Sequence, residues 1–190
     1  DGDWHTSEYG PEFHIRNIVE TSCSKQETID FIRELDVVIS PRDIRRISSI
    51  VDGDIFSAAE NRMMENKICE KTKADFTSVS AVFKKVRALK RELDLFKFLG
   101  EYNGTYAECM SLMKKCPDNA LEMILDAPYQ VAKDTSIPFK ILDQIALDRG
   151  TDILAEERIS AILYWCLKKE SGSGNAFVTF EQLYKAVSRQ

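Results

Sequence analysis

The sequence predicts a mainly α-helical chain with a short β segment at its N-terminus. Apolar residues recur every three or four positions along most of the chain, which is the period of one face of an α-helix. Helix-capping residues, and glycines or prolines that end helices, divide this pattern into short segments. Strand-like alternation occurs only within residues 1–20. With 190 residues and 21.7 kDa, the chain is long enough to bury a substantial core.

The composition is that of a soluble globular protein, with 44% hydrophobic and 30% charged residues. No run of 18 apolar residues is present, and the first ten residues are acidic and polar, so we expect neither a membrane span nor a secretory signal. The formal charge of −5 argues against a strongly basic nucleic-acid binder, although basic residues can still cluster locally. The five cysteines contain no Cys-x-x-Cys pair, which favours reduced thiols and a cytoplasmic protein.

The chain lacks the common signatures of catalysis. None of its eight glycines precedes a lysine, so a phosphate-binding Gly-x-x-x-x-Gly-Lys loop cannot be written anywhere, and Gly-x-Gly-x-x-Gly is also missing. Its two histidines, His5 and His14, are too few for a histidine-based triad or a zinc site. The acidic residues of segment 1–12 resemble a calcium loop, but the required glycine is replaced by Thr6. We therefore expect no catalytic residue, metal ligand or cofactor in this chain.

The N-terminal elements follow from alternation and capping. Residues 13–19 alternate apolar and polar side chains after a turn at 9–11 and predict a strand. Ser24 and Glu27 have the spacing of a capping box, which predicts a helix to about residue 35.

Two further helices and one long helix are expected in the middle of the chain. Pro41 occupies a first helical position, and the helix that it begins closes at Asp52-Gly53. Asp54 begins the next helix, and a break is expected over residues 66–73. The longest periodic stretch then places these residues on one helix face: Val79, Val82, Phe83, Val86, Leu89, Leu93, Phe96 and Leu99.

The rest of the chain predicts short helices separated by turns. A helix that begins near residue 120 is expected to end before Pro128. A flexible Ser-Gly loop at 171–174 precedes a last helix, which Thr179 and Gln182 cap. The other predicted helices cover residues 106–115, 139–147 and 156–168.

Four short polar turns between helices are the repeated feature of the pattern. They lie at residues 38–42, 68–71, 102–105 and 136–140. This layout is typical of tandem helix-hairpin-helix units, in which backbone N–H groups at the turn and at the following helix N-terminus face a DNA phosphate. Because every phosphate is alike, such contacts read no sequence.

The candidate DNA-binding residues are the cations and small polar residues at these turns. Lysine and arginine neutralise phosphates, and small polar residues allow the backbone to approach them. The candidates are Ser40, Arg42, Lys71, Lys73, Asn103, Gly104, Thr105 and Lys140.

Several segments of the second half resemble RecD-like DNA helicases, the exodeoxyribonuclease V alpha-chain family, in the region that precedes their motor. Ala127-Pro128-Tyr129 is similar to an Asn-Pro-Tyr of that family, and segment 136–140 to its Gly-Ile-Gly-Phe-Lys. Segments 143–146 and 158–164 fall on two further helices of the family, and 174–183 resembles the stretch that leads toward its ATPase core.

The first half resembles the same family more weakly but in register. Segments 2–4 and 9–13 are similar to the last strands of the small barrel of that family. Ile39-Ser40-Pro41-Arg42 is similar to its Ile-Gly-Pro-Lys motif, and segment 68–71 is similar to its Ile-Gly-Glu-Lys motif. Most hairpin glycines of the family are replaced here, and Pro138 also lacks an N–H donor.

The resemblance implies a non-catalytic, DNA-engaging N-terminal segment of an ATP-dependent 5′→3′ DNA helicase, of the kind that serves repair or recombination. ATP and Mg²⁺ would bind a motor beyond Gln190, and DNA, single-stranded or at a junction, would be held without sequence specificity. The implied organisation is a barrel end at 1–20, degenerate hairpin units at 21–75, further hairpin units at 76–170 and a linker with a helix at 171–190.

Two alternatives remain open from the sequence. The chain could be a helical protein-interaction scaffold that no longer binds DNA, in keeping with its acidic balance. Alternatively, segment 41–59 resembles the helical lid of a clamp-loader-type AAA+ ATPase, although Phe56 stands where that lid carries its arginine.

Overall fold

The computed structural model describes residues 2–7, 10–15, 24–51, 53–172, 174 and 177–188, the first two ranges by their backbone. The chain divides into two compact units, Asp1–Leu93 and Asp94–Gln190. Helices account for most of the described residues, which confirms the mainly α prediction. No helix of the described part is both long and apolar enough to cross a membrane.

The N-terminal β segment is an antiparallel hairpin of β1 (Gly2–Ser7) and β2 (Gly10–Ile15). Gly2 lies opposite Ile15 at one end of the ladder, and Ser7 lies opposite Gly10 at the other. The predicted continuation of the strand over residues 16–19 lies outside the described residues.

The helices of the first unit are α1 (Lys25–Glu34), α2 (Pro41–Val51), α3 (Ile55–Glu60), α4 (Met63–Thr72) and the first part of α5 (Phe76–Glu101). The predicted capping box is present, since the Glu27 N–H donates to the Ser24 hydroxyl and the Ser24 N–H to the Glu27 carboxylate. The apolar faces of these helices meet in one core, whose fully buried members include Ile32, Ile47, Ile68, Val79, Val82 and Phe83.

The turn predicted at residues 68–71 is wrong, because this segment is the last part of α4. No glycine or proline interrupts it, and Ile68 is fully buried on the core face of the helix. The chain turns after the end of α4, at Lys73, whose φ of 56° lies in the left-handed region. The predicted break over 66–73 is therefore wrong except at residue 73. The helices are interrupted instead at residues 61–62, which end the helix that starts after Asp54, and at residues 73–75.

Helix α5 contributes residues to the cores of both units, and the division between the units falls within it. Its first half packs Val79 and Val86 into the core of the first unit. Its second half packs Leu95 and Leu99, both fully buried, into a core of the second unit. The single apolar face expected from the sequence thus serves two separate cores.

The second unit continues with α6 (Tyr106–Lys115), α7 (Ala120–Asp126), α8 (Pro128–Asp134), α9 (Phe139–Asp148), α10 (Glu156–Gly172) and α11 (Phe180–Val187). Helix α8 was not expected: Pro128 ends α7, as predicted, and also occupies the first position of a new helix. A core around Leu112 and Ile145 joins α5, α6, α7 and α9, and a smaller one around Tyr129 and Phe139 joins α8, α9, α10 and α11.

Candidate nucleic-acid interface

At the first hairpin, between α1 and α2, side chains of the hairpin itself form hydrogen bonds at the N-terminus of α2. The Asp43 N–H donates to the Ser40 hydroxyl over 3.1 Å, and that hydroxyl donates to the Asp43 carboxylate over 2.7 Å. Arg46 pairs with the other carboxylate oxygen at 2.8 Å. The Ser40 hydrogen bond, followed by that of Arg46, lowers the pKa of Asp43, so a negative charge is held at this turn. Arg42 remains exposed beside it.

The second hairpin consists of residues 73–75, and a side chain of this hairpin also caps the helix that follows it. Asp75 accepts a hydrogen bond from the Ser78 N–H at 2.8 Å and so caps α5. Arg46 donates to the Lys73 carbonyl oxygen at 3.1 Å, which links this hairpin to the first. Of the predicted lysines, Lys73 is exposed at the turn, whereas Lys71 is exposed on the last turn of α4.

The third hairpin lies where the sequence predicts it, and Gly104 serves packing there. Asn103 has a φ of 61°, and the Gly104 N–H donates to the Leu99 carbonyl at 2.7 Å. A Cβ on Gly104 would lie 2.8 Å from the Leu99 Cβ, closer than real contacts allow. Thr105 and Glu108 form a capping box, in which the Glu108 carboxylate accepts from the Thr105 N–H at 2.7 Å.

The fourth hairpin, between α8 and α9, differs from the other three. The N-cap of α9 is Pro138, which offers no side-chain acceptor, and the first turn of α9 contains no acidic residue. Lys140 is exposed on that turn. Here alone among the four described hairpins, the N-terminus of the following helix carries neither a capping carboxylate nor a capping hydroxyl, so its positive end is unopposed.

The fourth hairpin is nevertheless firmly held on its inner side. Ile137 and Phe139 are buried on either side of Pro138. The Thr135 hydroxyl donates to the Val131 carbonyl at 2.8 Å, and the Ser136 hydroxyl contacts that of Ser111 on α6 at 2.9 Å. The turn is therefore fixed before any ligand binds.

A buried ionic contact joins the three helices around this hairpin. Arg158 on α10 pairs with Asp143 on α9 at 2.8 Å, and the Tyr129 hydroxyl on α8 donates to the same carboxylate at 3.0 Å. Burial, reinforced by this hydrogen bond, raises the pKa of Tyr129, and the Asp143 carboxylate raises that of Arg158. These groups are structural, because they lie inside the helix junction.

A groove of about 500 Å³ lies beside the fourth hairpin, and we call it the lysine groove. Its floor and walls come from residues 135–138, from the end of α8 and from α10. The Lys168 Nζ lies 5.9 Å from the Tyr164 ring centroid, and the Lys169 Nζ lies 5.3 Å from that of Trp165. Its lining residues are Ala132, Lys133, Thr135, Ser136, Ile137, Pro138, Ala161, Tyr164, Trp165, Lys168 and Lys169.

Sequence reasoning missed this groove. It took residues 156–168 for an apolar helix and gave no role to Tyr164, Trp165 or the two lysines that follow. The available signal was the interleaving of aromatic and basic residues over 164–169, a pattern typical of single-strand binding surfaces. Lys133 could not have been found in this way, because it is distant in sequence and joins the groove only through the fold.

The structure brings the predicted site residues together in two pairs of hairpins. In the first unit, Arg46 connects the turns that carry Ser40 and Lys73. In the second unit, the Ser111–Ser136 contact connects α6, which follows the third hairpin, to the fourth. No group of three or more histidine, cysteine or acidic residues among the described ones is arranged to hold a metal ion.

Short helices that meet at fixed turns, with a basic groove beside one of them, define the second unit as a helix-hairpin-helix domain, a class associated with nucleic-acid binding. Residues 89–177 match the family model described as the ATP-dependent RecD2 DNA helicase HHH domain, so this part of the chain is similar to the helix-hairpin-helix domain of that family. The match includes the third and fourth hairpins and the lysine groove. It confirms the resemblance of the second half of the chain to RecD-like helicases.

No curated protein and no solved structure shows significant similarity to the chain.

Proposed function

We propose that this chain is the non-catalytic, DNA-engaging N-terminal segment of a RecD-like ATP-dependent 5′→3′ DNA helicase. It holds DNA through backbone contacts at the fourth hairpin, without sequence specificity, in a reducing, cytoplasmic environment. ATP and Mg²⁺ serve the motor of that helicase, and the protein acts in DNA repair or recombination.

The observation that carries the proposal is the difference between the fourth hairpin and the others. A phosphate at a helix N-terminus accepts hydrogen bonds from free backbone N–H groups and is favoured by the helix dipole. At the first three hairpins a side-chain oxygen already accepts a backbone N–H at that position: the Ser40 hydroxyl, the Asp75 carboxylate and the Thr105 hydroxyl. At the first and third, an acidic residue in the first turn adds a negative charge. At the fourth hairpin the position is open, and Lys140 supplies a cation beside it.

The test is fluorescence anisotropy of labelled single-stranded, duplex and 5′-tailed DNA at several salt concentrations. Lys140→Glu should weaken binding to all three probes and lower the slope of log K against log salt by about one phosphate contact. Lys84→Glu is the matched control, since it makes the same change of net charge at an exposed position inside α5, away from the four hairpins.

A second variant tests the open helix end itself. Pro138→Asp gives the fourth hairpin the capping carboxylate that Asp75 gives the second, so binding should fall. The free energy of unfolding should change little. The new N-cap aspartate adds about 1 kcal/mol of stability, and loss of the proline, which restricts the unfolded chain, removes about 0.4–1 kcal/mol. If wild type binds none of the probes at low salt, the proposal is wrong.

A second candidate, a protein-docking segment, is supported by one observation. On α11, Phe180 and Tyr184 are 83% and 65% exposed and stack on each other with centroids 6.4 Å apart. Exposed aromatic side chains of this kind are typical of protein interfaces. Absence of DNA binding together with a loss of partner binding on Phe180→Ser would favour this candidate.

A further inference from the structure

We propose that the lysine groove binds single-stranded nucleic acid, with one base stacked on Tyr164 and the neighbouring phosphates paired with Lys133, Lys168 and Lys169. This inference rests on the proposed function and deepens it, because it names the form of the nucleic acid and the residues that select it.

Charge favours a polyanion in this groove. Three lysines line it, and none of its lining residues is acidic. The neighbouring larger cavity, of about 800 Å³, shows the contrast, since Asp126, Glu156 and Glu157 line it against a single lysine, Lys133. A phosphate chain near this face of the second unit would therefore be attracted to the lysine groove and repelled by the other cavity.

The two aromatic residues of the groove have different surroundings. Trp165 is half-buried, with its ring centroid 5.7 Å from that of Phe139, so it belongs to the fixed wall. Tyr164 is 42% exposed, and the ammonium group of Lys168 lies over its ring, 5.9 Å from the centroid. A base can displace this ammonium group, which then remains close enough to pair with a phosphate of the same strand.

An aromatic platform of this kind discriminates between forms of nucleic acid. In a duplex the bases are stacked on each other and present only their edges, so they cannot lie on Tyr164. An unpaired strand can turn a base onto the ring, and any base suffices because each has a π face. An acidic peptide would match the lysines but has no base to stack.

The experiment is anisotropy with three probes: a labelled oligothymidylate of about 12 nucleotides, within the usual span of single-strand sites, an abasic strand of equal length, and a duplex. Wild type should prefer the oligothymidylate to the abasic strand. Tyr164→Ala should weaken oligothymidylate binding roughly 5- to 150-fold, the range for loss of one base–aromatic stack, and leave the abasic strand unchanged. Tyr164→Phe should retain wild-type affinity, since it keeps the ring.

Two controls separate stacking from charge. Tyr184→Ala removes an exposed tyrosine of α11 that does not line the groove and should change nothing. Lys168→Gln should weaken both the oligothymidylate and the abasic strand, because both carry phosphates. Circular dichroism of each variant checks that the helices persist.

Three results would overturn the inference: equal affinity of wild type for the base-bearing and abasic strands, no effect of Tyr164→Ala, or displacement of the oligothymidylate by a polyglutamate peptide at matched charge. If, in addition, Lys140→Glu still weakens binding, the proposed function survives and only the groove assignment fails. If none of the probes binds, the proposed function fails as well.

Discussion

Arg158 holds Asp143 by two parallel hydrogen bonds, from Nε to Oδ1 at 2.8 Å and from Nη2 to Oδ2 at 2.9 Å. Both side chains are largely buried, with 8% and 12% of their surface exposed. A third hydrogen bond, from the Tyr129 hydroxyl, completes the carboxylate's shell. The helix that starts at the fourth hairpin is therefore tied to α10, the helix that supplies Tyr164, Lys168 and Lys169 to the groove.

Breaking this contact should destabilise the second unit. Asp143→Ala leaves the Arg158 guanidinium buried without its counter-charge, which typically costs about 3–5 kcal/mol. Tyr129→Phe removes one hydrogen bond from a carboxylate that keeps its arginine and should cost less, about 1.5–3 kcal/mol, the usual worth of a hydrogen bond to a charged group. Urea unfolding of the two variants measures the difference. Equal losses would mean that the ion pair adds nothing beyond the tyrosine bond.

Two glycines that lie close together in sequence should respond to alanine in opposite ways. Gly104→Ala forces a Cβ to within 2.8 Å of the Leu99 Cβ and 2.9 Å of its carbonyl oxygen, so it should destabilise the chain by about 1–3 kcal/mol. Gly100→Ala meets nothing within 4 Å on α5 and should stabilise by about 0.5–1 kcal/mol. Thermal unfolding compares them. A stable Gly104→Ala variant would contradict the close approach of the third hairpin to α5.

Acid should weaken the first hairpin through Asp43. Because the Ser40 and Arg46 contacts lower its pKa in the folded state, the carboxyl binds its proton more weakly when folded than when unfolded. Its contribution is complete above the ordinary value of 3.8 and is lost as the pH falls through the lowered value.

Unfolding followed from pH 7 down to pH 2 should therefore show less acid dependence in Asp43→Asn than in wild type. At neutral pH this variant should be less stable by about 1.5–3 kcal/mol, the usual worth of a hydrogen bond to a charged group. Asp30→Asn is the control, since it alters an exposed ion pair with Arg33 that contributes little. Identical acid profiles of wild type and Asp43→Asn would refute the role of Asp43.

The sequence predicted elements well where local signals agree. The predicted capping boxes at Ser24 and Thr179 are both formed, because each depends on residues only three positions apart. The box at Thr105 has the same spacing but was not predicted. The turn at 68–71 failed because it was inferred from likeness to a motif whose glycine is missing here, and without that glycine α4 continues to Thr72. Helix α8 was missed because Pro128 was taken only as a helix end.

The site was less accessible to sequence reasoning. All of Ser40, Asn103, Gly104, Thr105 and Lys140 lie at or next to the turns expected of them, but the pattern could not show which helix ends were already occupied. Pro138, which argues against phosphate binding by its missing N–H, also leaves α9 without a capping side chain. The two effects of Pro138 on phosphate binding oppose each other. Which one dominates depends on whether acidic residues lie in the first turn of α9, and none does.

By itself, the sequence determined the helical class, most helix boundaries and the family likeness, because these depend on periodicity, caps and short motifs that act over a few residues. The tertiary structure alone decided that α5 serves two cores, that side-chain oxygens cap the helix after three of the four hairpins, and that Lys133 joins Tyr164 and Lys168 in one groove. These features require side chains from different helices to meet, and packing, rather than local preference, sets which helices come together.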